Sequence, residues 1–126
     1  MIDSKSKIID YFNSGIKADK DFKIGIEHEK FLFDLNTNKR IDYKKILEMF
    51  AALTEFGWAP IKEKNNIIGL SKEGRNITLE PGNQIELSGA KLNNIHEACA
   101  ESQDYLFELK QVAKKLDIKI VSAGFD

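Results

Sequence analysis

Cysteine is nearly absent from this chain of 126 residues, with Cys99 as the only one. No intramolecular disulfide can form, and no multi-cysteine metal site can be built. Long apolar runs are missing too: no stretch approaches the roughly 18 residues that a bilayer-crossing helix needs. The opening MIDSKSKIID has no apolar centre of the kind a secretory leader carries. Nor is there an excess of charge, because 19 basic side chains face 20 acidic ones for a formal charge of -1 at pH 7. That balance argues against a broad phosphate-binding face and therefore against a nucleic-acid partner. Neither GxxxxGKS/T nor GxGxxG occurs, so both common phosphate loops are excluded. Internal repeats, low-complexity tracts and linkers are likewise absent. The expectation is one α+β domain, soluble and cytoplasmic, with no membrane partner.

What is present is a clear order of elements. Ser4 is placed to cap a first helix whose Ile8, Ile9 and Phe12 share a side, ending near Ser14 and Gly15. FKIGIEHEKFLF, from Phe22 to Phe33, alternates as a strand. It puts Ile24, Ile26, His28, Lys30 and Leu32 on one face and Gly25, Glu27, Glu29, Phe31 and Phe33 on the other. Asp42 caps a second helix with apolar residues at helical spacing, which stops at Gly57. Short strands are then expected at Trp58 to Ile61, Ile67 to Leu70, Asn76 to Glu80 and Gln84 to Leu87. The connections between them are too short for crossover helices, so these strands run antiparallel. Asn94, with Glu97 three residues on, opens a long helix whose expected stripe is Ile95, Ala98, Cys99, Ser102, Leu106, Leu109, Ala113 and Leu116. A last strand is expected at Ile118 to Val121.

Chemistry concentrates where acidic residues interrupt the strands. Glu27 and Glu29 are two apart and share a face, and a like-charged pair on a partly buried face needs a cation or a basic group to offset it. Glu80 ends one strand, Pro81 and Gly82 turn the chain, and Glu86 returns in the next strand with Gln84 on its own face. Carboxylates from two sheet regions could thus converge on one site, and magnesium suits such hard oxygen donors beside nucleotide phosphates. Alternating glutamates equally suit the solvated face of an antiparallel sheet, and spacing leaves both readings open. Phe31 and Phe33 beside the first pair, the Pro-Gly turn beside the second and the amide of Gln84 favour a site. His28 falls on the opposite face, as a core or interlayer histidine. His96 belongs to a helix start, Cys99 to buried packing, and the KEKNN and KKLDIK stretches to solvated surface.

The segments IGIEHEKFLF and ITLEPGNQIELSGAKLNNIHEACAE closely resemble the paired signatures of the plant and proteobacterial glutamate-cysteine ligase family, in the glutamine-synthetase-like group of carboxylate-amine ligases. The resemblance runs from about Asp21 to Asp126, including the closing GFD. It implies a mainly antiparallel sheet with covering helices, the amino-terminal portion of a glutamine-synthetase-like catalytic fold. Residues 1–126 would then be the first part of a single catalytic domain whose remainder is absent. The implied reaction is ATP-dependent joining of the L-glutamate side chain to L-cysteine through a γ-glutamyl phosphate, the first step of glutathione synthesis. ATP would be co-substrate and Mg2+ the metal.

Residue by residue, the resemblance makes Glu27, Glu29, Glu80 and Glu86 the catalytic, metal-binding carboxylates and puts Gln84 and Ser88 near the substrate pocket. Asn83 stands where the family usually has a second glycine, and Lys91 where it usually has proline. A related ligase using another amine and a non-catalytic binding or assembly domain are the alternatives. The isolated segment is expected to be inactive, since it supplies an acidic wall without the cationic contacts that ATP requires.

Overall fold

A six-stranded antiparallel sheet is the frame of the computed structural model, which describes residues 4–123. The closing Gly124, Phe125 and Asp126 of the resembling segment lie outside the described residues. Helix α1 (Lys5–Ser14) is capped by the Ser4 hydroxyl, which accepts from the Lys7 amide. Strand β1 (Glu27–Asp34), helix α2 (Tyr43–Leu53) and strands β2 (Ala59–Glu63), β3 (Asn66–Lys72), β4 (Arg75–Glu80) and β5 (Gln84–Ser88) follow. Helix α3 (Ile95–Lys115) and strand β6 (Ile118–Val121) complete the order. The strands lie as β2-β3-β4-β5-β1-β6, so the meander β2 to β5 is joined at β5 by β1, which then pairs β6 on its other side. This is the α+β architecture with antiparallel sheet and covering helices that the sequence implied. No helix among the described residues is long and apolar enough to cross a membrane.

Each helix begins where its capping residue stands. Asp42 accepts from the Lys45 amide, and the Asn94 side chain accepts from the amides of His96 and Glu97. Glu97 reaches back to the Asn93 amide at 2.7 Å, one residue earlier than a standard capping box. Helix α2 passes into a 3-10 turn, Thr54–Phe56, and ends at Gly57 with φ 88°, a left-handed stop.

The expected strand from Phe22 is shorter than its alternation suggests. Pairing starts only at Glu27, because β5 ends at Ser88 and leaves the preceding residues no ladder. Ile24 instead exchanges backbone hydrogen bonds with Leu92 in the loop before α3.

Both long helices cover one face of the sheet. Leu70, Ile77, Leu87 and Ile85 on the strands, with Leu32 on β1, meet Ile46, Met49, Phe50 and Leu53 of α2 and Tyr105, Leu109 and Val112 of α3. Helix α1 contributes no buried residue.

The buried face of α3 is rotated from the stripe expected of it. Ala98, Leu109 and Ala113 are buried as expected, but Ile95 and Cys99 are exposed while Glu101, Tyr105, Glu108 and Val112 are buried. Cys99 is therefore corrected from core packing to surface. Two partly paired acids turn the helix this way. Glu108 accepts from the indole N–H of Trp58 at 2.7 Å and from Lys72 at 2.5 Å. Glu101 accepts from the Ala90 amide at 3.0 Å and lies 3.9 Å from the Arg75 guanidinium. Arg75 itself packs 5.5 Å from the Trp58 ring. A buried carboxylate held by an ammonium and an N–H is tolerated, whereas either partner left alone is costly.

Replacing Glu108 with alanine is therefore expected to lower unfolding free energy by about 2–4 kcal/mol, since it strands a largely buried ammonium and an indole N–H. Trp58 is the sole tryptophan, so urea unfolding followed by its fluorescence measures the change. A loss below the error of the unfolding curves would show that the cluster contributes little.

Candidate active site

The strand registers decide which side chains share the uncovered face. Glu29 lies opposite Glu86, and Glu86 lies opposite Thr78, so one row crosses β1, β5 and β4. The adjacent row holds Glu27 opposite Ser88 and Ser88 opposite Asn76. On the other side of Glu86, Glu80 lies opposite Gln84. Residues directly opposite in an antiparallel pair project to the same side. All six residues singled out from the sequence, Glu27, Glu29, Glu80, Gln84, Glu86 and Ser88, thus stand on one face of three adjacent strands. The opposite face carries Leu70, Ile77 and Leu87 in register and is the one the helices cover.

The local environment differs along that face. Glu27 and Glu29 are exposed, whereas Glu80 and Glu86 are half-buried. Thr78 donates its hydroxyl to Glu80 at 3.0 Å and Ser88 donates to Glu86 at 3.1 Å, each bond running two residues along a strand. Burial pushes the Glu86 carboxyl above its ordinary value; the charges of Glu80, Glu27 and Glu29 push the same way, and the Ser88 hydrogen bond opposes them. The carbonyl oxygen of the Gln84 side chain is buried and has no hydrogen-bond partner among the described residues. A small hollow of about 260 Å³ opens at the Glu27 and Ser88 end, lined also by Gly25, Ile26 and Gly89. Two hollows of 440 Å³ border this face at Gly25 and at Asn76, while those of 550 Å³ beside Lys30 and Ile118 and 470 Å³ beside Glu55 and Lys115 lie away from it.

Carboxylate, amide and hydroxyl oxygens make up this face, a hard donor set that fits magnesium and not a thiophilic metal. Among the described residues no group of three His, Cys, Asp or Glu side chains is gathered tightly enough to enclose an ion alone. An extended acidic face of this kind suits an ion that keeps waters and takes further oxygens from substrate phosphates.

The remaining residues fall as follows. His28 points to the helix side and meets the Ser102 hydroxyl at 3.2 Å; burial first, and then Lys30, pulls it below its ordinary value. His96 is exposed at the start of α3, where its backbone amide is capped. Sequence reasoning did not assign a role to Arg40, which packs 4.3 Å from the centre of the Phe31 ring and donates to the carbonyl of Gly82. Its position two residues before the Asp42 cap is the only sequence cue, and it does not point to the acidic face.

Known proteins are similar to this chain in sequence. The model of glutamate-cysteine ligase family 2 matches residues 23–126. The chloroplastic glutamate-cysteine ligase of Medicago truncatula is 42% identical over 123 residues, which cover 97% of this chain and 24% of that protein. The chloroplastic ligase A of Oryza sativa subsp. japonica is 41% identical, with 97% and 25% covered, and the chloroplastic enzyme of Arabidopsis thaliana is 40% identical, with 97% and 24% covered. The chain spans about a quarter of the length of the curated relatives it matches. The cytoplasmic location expected from the sequence is corrected by these relatives, which are chloroplastic by name. A single thiol and the lack of a long apolar run distinguish no reducing compartment from another.

The raised Glu86 carboxyl yields a stability test. A carboxyl that holds its proton more tightly folded than unfolded favours the folded state at low pH. That contribution is lost as pH rises from the ordinary value of 4.5 through the raised one. Glu86→Gln removes the penalty, so its melting temperature is expected to exceed that of the parent at pH 7 and to converge with it as pH falls below 4.5. Circular dichroism melts across that range measure it, and a variant less stable at pH 7 would contradict the assignment.

Proposed function

The chain belongs to glutamate-cysteine ligase family 2, and on that footing we propose that it forms the acidic wall of an ATP-dependent ligase joining the side-chain carboxylate of L-glutamate to the amino group of L-cysteine. The observation that carries this reading is the placement of Glu27, Glu29, Glu80 and Glu86 on one uncovered sheet face, from three adjacent strands. An apolar helix layer packs against the opposite face, so the strands that carry the carboxylates rest on a buried core.

In this reading Glu27, Glu29, Glu80 and Glu86 hold magnesium. Bound there, the ion offsets repulsion between phosphate oxygens and stabilises charge during phosphoryl transfer. Ser88 and Thr78 orient Glu86 and Glu80 through the hydrogen bonds already described, fixing which carboxylate oxygens remain for other partners. Gln84 carries a buried, unpartnered side-chain oxygen at the edge of this face, and a turn of that side chain brings it to a donor on the amino-acid substrate. The outcome is transfer of the terminal phosphoryl group of ATP to the glutamate side chain, followed by attack of the cysteine amine and release of phosphate.

In a length-complete protein containing this chain, Glu27→Gln and Glu86→Gln are each expected to lower turnover by about 100-fold or more, as loss of charge at a phosphoryl-transfer site does. Product mass and phosphate release at saturating Mg-ATP measure it, with circular dichroism as the control for folding. Parental turnover in either variant would remove that residue from the site. A panel of amines in the same assay tests the substrate: preference for an amine other than cysteine would assign the chain to a related carboxylate-amine ligase. Magnesium should also raise the melting temperature of the parent more than that of Glu86→Gln. The 126 residues alone are expected to form no product.

A further inference from the structure

The turn between Glu80 and Gln84 is held from outside its own hairpin. Its residues Gly82 and Asn83 both take left-handed backbone, with φ of 71° and 61°. Glycine adopts this freely and asparagine with little penalty. The β4–β5 hairpin already closes through its own register, from Asn76 opposite Ser88 to Glu80 opposite Gln84. Two further bonds reach the turn from the segment that follows β1. Arg40 donates through Nη1 to the Gly82 carbonyl, and the Asn83 side-chain amide donates to the Ile41 carbonyl at 3.0 Å.

That segment is itself fixed to β1. The Ile41 amide donates to the Leu32 carbonyl at 3.1 Å, and Arg40 forms an antiparallel bridge with Phe33. The Arg40 guanidinium packs 4.3 Å from the Phe31 ring and 5.8 Å from the Phe33 ring. Phe31 and Phe33 alternate with Glu27 and Glu29 and share their face. A Cβ at Gly82 would come within 3.0 Å of the Arg40 nitrogen, so the contact uses the space glycine leaves.

We propose that Arg40 and Asn83 are positioning residues that lock the Pro81–Asn83 turn to β1 and so fix Glu80 and Gln84 relative to Glu29 for binding of the amino-acid substrate. Glu80 and Gln84 flank the turn directly, so a turn free to rock would carry both side chains with it, while Glu86 and Ser88, deeper in the ladder, would hold their place. Arg40 also sets a permanent positive charge beside Phe33, which Lys119 of β6 faces from its other side, so that this end of the face is cationic and lessens repulsion of an anionic substrate. The Asn83 bond is one that glycine, equally suited to the left-handed backbone, cannot make.

The inference rests on the ligase reading, and the experiment separates the two. Asn83→Gly and Asn83→Asp both suit the left-handed backbone and both lack the donor; Arg40→Met keeps an apolar stack on Phe31 and loses the donor and charge. In the length-complete protein, the KM for L-glutamate is expected to rise about fivefold in both Asn83 variants, as loss of one neutral hydrogen bond predicts, with kcat within about twofold. Arg40→Met should raise it by about tenfold or more, as for a charge-assisted bond, and Arg40→Lys should not restore it. Hydrogen exchange in the turn should accelerate in the same variants while β1 and β5 keep their protection. Faster exchange with an unchanged KM would reduce both residues to structural braces, and unchanged exchange would remove the lock; either result overturns the inference. If the parent protein forms no γ-glutamylcysteine, the ligase reading fails instead. The lock is then decided by the magnesium concentration giving half-maximal thermal stabilisation: a shift in the variants supports it and an unshifted midpoint overturns it.

Discussion

The pairing of β1 with β5, with Glu29 opposite Glu86 and His28 opposite Leu87, is the constraint on which the rest of the molecule depends. Side chains alternate across a strand, so a slip of one residue would exchange every group on β1 between the two faces. Glu27 and Glu29 would then press into the helix layer, and Leu32 would be turned out. The apolar contacts of Leu32 with the core exclude that slip, and in doing so they hold the carboxylates outward. Core packing and site geometry are two results of one register.

A second dependence runs through α3. Glu101 and Glu108 enter the protein on the same side of the helix as Tyr105 and Val112, and each acid meets a cation from the end of the β3–β4 hairpin. Glu101 also receives the Ala90 amide just beyond β5. A Cβ on Gly89 would fall 2.3 Å from the other oxygen of Glu101 and 3.0 Å from the Ile26 carbonyl, so the chain leaving the acidic strand passes here with no room to spare. The helix therefore clasps the loop after Ser88 as well as covering the sheet.

Much of this was legible in the sequence because it depends on short-range rules. The capping side chains of Ser4, Asp42 and Asn94 begin their helices where they stand, and the period-two pattern sorted Glu27 and Glu29 from His28 onto the correct faces. The α3 stripe differs because hydrophobic periodicity treats a glutamate as solvent-facing, whereas the distant Lys72, Trp58, Arg75 and Ala90 make burial of Glu101 and Glu108 tolerable. Cys99 differs for the same reason. The early start given to the first strand has a similar origin: alternation persists through Ile24 and Ile26, but a strand lasts only as far as its partner does. Arg40 was given no role in the acidic site because its contacts with Phe31 and Gly82 come from the tertiary fold and leave no trace in local spacing.

The topology carries one further consequence, for the order in which the acidic face comes into being. Strands β2 to β5 are consecutive and joined by tight turns, so each pairing closes a short loop and little chain entropy is lost. β1 joins β5 only after α2 and the whole meander have been traversed, and β6 joins β1 from beyond α3. In a chain that closes its shortest loops first, Glu80 and Glu86 come together while Glu27 and Glu29 are still on a loose strand. The mutual repulsion of the four carboxylates is then met only at the final long-range docking, when the apolar face of β1 is already being drawn into the core.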